Sequence, residues 1–145
     1  MFKHILIATD GSELADRAAA QGLELAKVLK ADVTVVTATE PWTAVVAGEA
    51  ALAFPYGDYE KAAAENAAKI LARAADMAKK ADVACTTVHA KDQFAAEGIV
   101  ATAKDKGCDL IVMASHGRRG IAKLLLGSEA TKVLTHSSVP VLICR

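Results

Sequence analysis

The sequence predicts a single doubly wound α/β domain, in which a five-stranded parallel sheet carries helices on both faces. Apolar runs of strand length alternate along the chain with helical segments, which is typical of a parallel sheet covered on both sides. Most of these runs are continuous β-branched or aliphatic stretches, so at least the central strands should be buried on both faces. The length of 145 residues suits one domain over residues 1–145.

Five short apolar runs are the predicted strands. They are residues 4–8, 33–38, 84–89, 110–114 and 140–144. Each run has a length that is common for strands in globular proteins. We therefore expect each of them to add one strand to the sheet.

Four segments with a helical spacing of apolar residues are the predicted helices. They are residues 14–29, 58–81, 94–106 and 128–136. Ser12 or Asp10 is placed to cap the first helix, and Asp92 is placed to cap the third. The third helix ends before Gly107, and glycine is typical of the residue that follows a helix.

The segment 39–57 interrupts this alternation. It contains Pro41, Gly48, Pro55 and Gly57, and it is longer than most connections in compact domains. Connections of this length are usually functional, disordered or partly helical. We expect the segment to form a mobile lid.

The charge balance argues against nucleic acid as a partner. The formal net charge is +0, so there is no basic field to collect a phosphodiester backbone. The chain is 53% apolar and 23% charged, which is the balance of a globular protein and argues against disorder.

The apolar runs are too short for a membrane span. The longest weakly polar stretch, residues 44–54, falls well below the roughly 20 apolar residues that a span requires. The first apolar run is closed by Asp10 and is too short for a signal peptide. Cys85, Cys108 and Cys144 lie in or beside apolar runs, as reduced core thiols do. We expect a cytoplasmic protein with no membrane partner.

Two segments at the carboxyl ends of predicted strands form a candidate phosphate site. Open parallel sheets bind ligands at this edge, where the strand order reverses. The first strand runs into residues 9–12, an acidic turn before a helix, and the fourth into residues 114–120. Farther on, Gly127 and Ser128 begin a helix. Glycines let main-chain N–H groups approach a ligand, and the start of a helix favours anions.

At these residues the sequence resembles the universal stress protein family, whose nucleotide-binding members carry Gly-x2-Gly-x9-Gly-Ser/Thr after the fourth strand. Gly117, Gly127 and Ser128 match the second glycine, the third glycine and the hydroxyl position, whereas Ala114 replaces the first glycine. The resemblance spans essentially the whole chain. It runs from Ile-Leu-Ile-Ala-Thr-Asp-Gly-Ser to the closing Ser-Ser-Val-Pro-Val-Leu-Ile-Cys.

The resemblance implies the strand order 3-2-1-4-5 and bound ATP or AMP, with a magnesium ion that can accompany ATP. Residues 8–10 would face adenine and ribose, Ala38 and Met113 would line the base pocket, and residues 115–118 would surround the phosphates. The full set of implied nucleotide-binding residues is Ala8, Thr9, Asp10, Ala38, Met113, Ala114, Ser115, His116, Gly117, Arg118, Gly127, Ser128 and Glu129.

Ala114 is the departure that bears most on binding. If the site requires a positive φ there, alanine costs about 1–2 kcal/mol, or about a tenfold loss of affinity. If φ is negative, as expected at the end of a strand, only a methyl group is added beside the ligand. We expect binding to be weakened at most.

The last predicted strand gives a physical motive for a homodimer. Residues 139–144 are apolar and should lie at a sheet edge, and an apolar edge strand invites pairing. In the family this strand commonly pairs with its twofold copy. The resemblance therefore implies a homodimer.

Other interpretations stay open. The glycines can serve only to form the loops, Asp10 can be a helix cap, and Arg118 can be a solvated charge. In that case the chain is a dimeric interaction protein that binds no nucleotide. A hydrolase that uses Ser115 and His116 ranks lower, because neighbouring loop side chains rarely meet in nucleophile geometry. Walker and dinucleotide glycine patterns are absent. We predict no catalytic or metal-ligating residue and at most slow ATP hydrolysis.

Overall fold

The computed structural model describes residues 1–117 and 125–145 and shows a sheet of five parallel strands. The strands are β1 (His4–Ala8), β2 (Asp32–Ala38), β3 (Cys85–Ala90), β4 (Leu110–Ala114) and β5 (Val141–Cys144). Their order is β3-β2-β1-β4-β5, and each neighbouring pair is parallel. The predicted fold class and strand order are confirmed.

The described helices include the four that the sequence predicts. They are α1 (Glu13–Leu29), α2 (Trp42–Val45), α3 (Ala50–Ala53), α4 (Tyr56–Ala81), α5 (Ala95–Lys106) and α6 (Ser128–His136). The two short helices α2 and α3 lie inside the segment 39–57. The structure thus gives this segment a partly helical conformation, and its motion as a lid stays a prediction.

Two pairs of helices cover the two faces of the sheet. α1 and α4 pack with Ile7 and Val112 in one core cluster, and α5 and α6 pack with Leu6 and Ile111 in the other. All four of these strand residues are fully buried, so the predicted burial of central strands on both faces is confirmed. Gly22 brings α1 close to the sheet, because an added Cβ there would lie 2.9 Å from Ile7 Cδ1.

α1 begins as the sequence predicts. Ser12 is the residue before its first turn, and the Ser12 hydroxyl accepts a hydrogen bond of 3.2 Å from the Ala15 N–H. Asp10 does not cap the helix in this way. Its carboxylate instead accepts the Ser12 N–H at 2.9 Å, which closes the turn that leads into the helix.

Asp92 does not cap α5, and that prediction is wrong. The residue before the first turn is Phe94, and Asp92 lies two residues earlier with a left-handed backbone, φ 52°. Glu129, in the first turn of α6, accepts a hydrogen bond of 2.9 Å from the Ala96 N–H instead. A carboxylate of the neighbouring helix therefore satisfies one of the main-chain donors at the start of α5.

The cysteines are free thiols, as expected. Cys108 and Cys144 are buried, and Cys85 is half-buried. Burial raises the pKa of the Cys108 thiol to about 11, so this thiol is protonated at neutral pH. Within residues 1–117 and 125–145, no helix combines the length and the apolar character that crossing a bilayer requires.

Asp109 joins the start of β1 to the start of β4. Its carboxylate accepts the Lys3 N–H at 2.8 Å and the His4 N–H at 3.1 Å. Burial acts to raise the pKa of Asp109, but these two N–H groups together hold it below the usual aspartate value. A carboxylate with a lowered pKa stabilises the fold above its unfolded pKa and loses that contribution as the pH falls through its folded pKa.

We predict that Asp109→Ala lowers the free energy of unfolding by about 1 kcal/mol at pH 7, because two main-chain donors lose a partly exposed acceptor. The difference from the wild type should shrink as the pH falls below about 4. Urea unfolding at several pH values measures both effects. Asp105→Ala, an exposed carboxylate of α5, is the control. A pH-independent difference between Asp109→Ala and the wild type would contradict the prediction.

Candidate functional site

The carboxyl edge of the sheet is lined with small residues. The strands end at Ala8, Ala38, Ala90, Ala114 and Cys144. The neighbouring strands β1 and β4 lead to helices on opposite faces, α1 and α6, so the winding of the chain reverses between them. Ligands of doubly wound sheets bind at such a point, and small side chains leave room there.

The turn between β1 and α1 is held by its own side chains. Thr9 is buried, its N–H donates to the Val36 carbonyl at 3.0 Å, and its hydroxyl accepts the Gly11 N–H at 3.1 Å. Gly11 has a φ of 78°, a left-handed conformation that an L side chain would strain. This conformation lets the turn bend sharply into α1, with Asp10 at its tip.

Asp10 and Gly117 bring the first loop against the loop after β4. A Cβ atom added to Gly117 would lie 2.6 Å from Asp10 Oδ2, a distance that only glycine avoids without a shift. The sequence analysis placed both residues in one site. The structure places them in contact across the point where the winding reverses.

Gly127 brings the start of α6 against the end of β4. Its N–H donates to the Ser115 carbonyl at 2.9 Å, and an added Cβ would lie 2.6 Å from the same oxygen. The Ser115 N–H donates in turn to the Cys144 carbonyl at 2.8 Å. The main-chain N–H groups of Gly127 and Ser115 thus donate within the protein. The predicted phosphate cradle relied on main-chain N–H groups near residues 117 and 127–128, so the Gly127 N–H is not one of its donors.

The first turn of α6 offers the remaining main-chain donors. The first hydrogen bond within this helix runs from the Thr131 N–H to the Gly127 carbonyl. The N–H groups of Ser128, Glu129 and Ala130 therefore have no acceptor inside the helix. Among the described residues, no side chain caps this end. The helix dipole favours an anion there.

The predicted base-pocket residues separate into two groups. Ala8 and Met113 belong to the core on the α5 and α6 face, and Ala38 packs against that core. Ala114 belongs to the core on the α1 and α4 face. Met113 is 6% exposed and thus mainly a core residue. The structure therefore brings Ala8, Ala38 and Met113 together on one face and places Ala114 on the other.

Ala114 requires no glycine-specific backbone. It is the last residue of β4 and is not among the residues with positive φ. The negative φ expected at the end of a strand is confirmed. Its difference from the family pattern is therefore one buried methyl group.

Ser115 and His116 contact each other, but they do not form a complete catalytic arrangement. His116 Nδ1 lies 3.1 Å from Ser115 Oγ. Ser115 is buried, however, and no carboxylate of the described residues forms an ion pair with the His116 ring. The pair lacks the third group that orients the base in hydrolytic triads.

Glu129 and Arg118 are the remaining predicted site residues. Glu129 is engaged by the Ala96 N–H and lies 3.2 Å from Lys132 Nζ, so its carboxylate joins α5 to α6. Arg118 lies outside the described residues, and so does Gly120.

Within the described ranges, no group of three or more His, Cys, Asp or Glu side chains is arranged to hold a metal ion.

The sequence analysis missed Gly98 and Ala90 at this edge. A Cβ added to Gly98 of α5 would lie 3.1 Å from Ala90 Cβ and 3.4 Å from Ala38 Cβ. Gly98 therefore lets α5 lie low over the ends of β2 and β3. A glycine within an otherwise helical run was the signal for this close approach.

A cleft of about 200 Å³ lies beside the first loop, between α1 and α4. Its lining includes Thr9, Gly11, Asp16, Lys69 and Arg73. Arg73 forms an ion pair with Asp16 there. The cleft thus lies on the α1 and α4 side of the sheet.

Comparison with known proteins agrees with this architecture. The model of the universal stress protein family matches residues 1–145. The chain is 32% identical to universal stress protein YxiE of Bacillus subtilis (strain 168) and 36% identical to a universal stress protein of Thermus aquaticus. Both alignments extend over 151 residues and cover all of both proteins.

Solved structures show the same fold. A universal stress protein in complex with cAMP has a TM-score of 0.72 at 24% identity, and the alignment covers 99% of this chain and 97% of the other. The universal stress protein from Archaeoglobus fulgidus in complex with dAMP has a TM-score of 0.70 at 18% identity, with 100% and 98% covered. From the family model and the two sequence relatives, we conclude that this chain belongs to the universal stress protein family.

Proposed function

We propose that this protein is a cytoplasmic regulatory module of the stress response that binds an adenine nucleotide, ATP or AMP, at the carboxyl edge of the sheet. The observation that carries the proposal is the first turn of α6, which starts at Gly127 against the Ser115 carbonyl and has no side-chain cap among the described residues. That turn lies on the edge where Asp10 meets Gly117. Main-chain donors, small residues and one carboxylate are thereby collected at one edge.

The phosphates are the part of the ligand that the first turn of α6 suits best. The N–H groups of Ser128 and Glu129 would donate to phosphate oxygens, and the Ser128 hydroxyl would add another donor. Charge-assisted hydrogen bonds of this kind contribute about 1.5–3 kcal/mol each. Arg118, which follows Gly117 in the sequence, would add a positive charge.

The nucleoside would lie toward the end of β1. Asp10 would accept hydrogen bonds from ribose hydroxyls, because an ionised carboxylate is an acceptor only. Ala8, Ala38 and Met113 share one face of the sheet and would present apolar surface to the adenine. The two structural neighbours that hold cAMP and dAMP support an adenine nucleotide as the class of ligand.

Binding rather than turnover is the proposed activity. Ser115 is buried, and its hydroxyl contacts only the neighbouring His116 ring among the described side chains. Because of this burial, we expect ATP hydrolysis to be slow at most.

A magnesium ion would arrive with ATP, because magnesium is usually held by one or two carboxylates together with substrate phosphates.

A homodimer through residues 139–144 is the second part of the proposal. Among the described strands β5 pairs only with β4 and forms one edge of the sheet, and Leu142 in it is 40% exposed. The other edge strand, β3, exposes Thr86 and Thr87 instead. An apolar edge strand is the better candidate for pairing with a second copy.

We predict that Gly127→Val lowers ATP affinity by about tenfold or more, because its Cβ would push the start of α6 away from the Ser115 carbonyl. Titration calorimetry measures the affinity, and circular dichroism checks the fold. Gly57→Val is the matched control, since an added Cβ there has no neighbour within 4 Å. If Gly127→Val unfolds the protein, Gly127→Ala is measured instead. Unchanged affinity in a folded Gly127 variant would show that the phosphates bind elsewhere.

We predict that Ala114→Gly keeps or tightens ATP binding. The φ of Ala114 is already negative, and its methyl group lies in the core rather than in a main-chain turn. The same calorimetric titration tests this variant. A tenfold loss of affinity would contradict this prediction and show that the Ala114 methyl group is needed for binding.

We predict that Leu142→Lys shifts the protein toward a monomer, because it places a charge on the apolar edge of β5. Size-exclusion chromatography with light scattering measures the mass at micromolar concentration. Thr87→Lys, on the opposite edge strand, should leave the dimer intact. A wild-type protein that is monomeric at this concentration would refute the dimer.

A further inference from the structure

Residues 41–59, which run from the connection after β2 into the first turn of α4, concentrate the aromatic residues of the chain. Trp42, Phe54, Tyr56 and Tyr59 lie here, and they are four of the six aromatic residues in the sequence. We call residues 41–59 the aromatic strap. Such clustering is uncommon outside a core, and here it lies on a connection rather than in either core cluster.

The aromatic strap is braced by its own contacts. Trp42 and Tyr56 pack edge to face with ring centroids 6.2 Å apart, and Phe54 and Tyr59 do so at 5.9 Å. The Trp42 indole N–H donates to the Phe54 carbonyl at 2.9 Å, and the Tyr59 hydroxyl donates to the Glu40 carbonyl at 2.6 Å. These contacts give the strap a defined shape.

That shape presents apolar side chains to solvent. Leu52 is 86% exposed, Val45 is 50% exposed and Tyr56 is 47% exposed, and Phe54 is also exposed. Single exposed apolar residues are common, but several on one braced segment mark an interaction surface. Neither core cluster includes any of these four residues.

The charged residues of the strap and of its neighbours in the sequence are mostly acidic. From residue 31 to residue 60 the chain contains no Lys, Arg or His, whereas Glu40, Glu49, Asp58 and Glu60 lie in or next to the strap. Asp92 adds a fifth carboxylate, and Lys61 and Lys91 are the nearby basic groups. The local charge is therefore negative, although the whole chain has no net charge.

Nearby carboxylates raise the pKa values of both strap tyrosines. Asp92 and Glu60 raise the pKa of the Tyr56 hydroxyl. Burial raises the pKa of Tyr59, and Glu40 and Asp92 raise it further. Carboxylates on both sides of the strap thus act on the same surface.

We infer that the aromatic strap is a docking surface for a basic amphipathic helix of a partner protein. A helix with apolar residues at helical spacing would cover Leu52, Phe54 and Tyr56, and Lys or Arg at its borders would face the surrounding carboxylates. A second copy of the chain fits poorly, because a twofold contact of strap on strap would set like charges opposite each other. An anionic lipid surface is disfavoured for the same electrostatic reason.

Trp42 makes the inference directly measurable, because it is the only tryptophan in the chain. The probe is an amphipathic peptide of about 14 residues made of leucine and lysine, with leucines at helical spacing. We expect it to change Trp42 fluorescence saturably and more weakly at high salt. The same peptide with glutamate in place of lysine should not bind. The titration needs no nucleotide, so its failure is distinguishable from failure of the proposed nucleotide site.

Two strap variants and two matched controls locate the contact. Leu52→Ser removes an exposed apolar anchor, and Glu49→Lys reverses one charge; each should weaken peptide binding about fivefold or more. Val28→Ser and Glu24→Lys make the same kinds of change at exposed positions of α1 and should alter peptide affinity less than about twofold.

Three results would overturn the inference. One is a flat titration at millimolar peptide, and another is equal weakening by the α1 controls. The third is a self-association that Leu52→Ser abolishes in light scattering, which would assign the surface to a second copy of this chain.

Discussion

The hydrogen bond from the Gly127 N–H to the Ser115 carbonyl determines how this chain presents its carboxyl edge. It holds the start of α6 against the end of β4 at a separation that leaves no space for a side chain at position 127. Because Ser115 is itself bonded to the end of β5, the last two strands and the last helix meet at one residue. The first turn of α6 therefore begins beside the carboxyl edge of the sheet.

The two helices over the second face are coupled to this arrangement through Glu129. Its carboxylate lies in the first turn of α6, where a negative charge is favourable, and it also accepts the Ala96 N–H of α5. One side chain thus serves the amino ends of two helices. An anion bound at the start of α6 would lie next to this carboxylate, so the state of the site and the contact between α5 and α6 are physically linked.

Sequence periodicity was sufficient for the strands and helices, because these elements are set by local patterns of apolar residues, whereas the strand order followed from the family resemblance. The bounds of β1, β4 and α6 agree with the prediction, and Ser12 caps α1 as expected. The prediction that Asp92 caps α5 was wrong because the group that satisfies this helix start is not local in sequence. The group that satisfies the start of α5 comes from Glu129, 33 residues farther along the chain, and no local pattern encodes such a contact. The same limit applies to Gly127, since a sequence shows a glycine but not where its N–H points.

The net charge was the least informative part of the sequence, because it is a sum and not a distribution. A chain with 17 basic and 17 acidic residues sums to zero, yet it contains a stretch of 30 residues from 31 to 60 without a basic side chain. That stretch includes β2, in which residues 33–37 are buried and uncharged, and the aromatic strap, where the carboxylates gather. The same distribution that disfavours a phosphate backbone at the strap favours a cationic protein segment there.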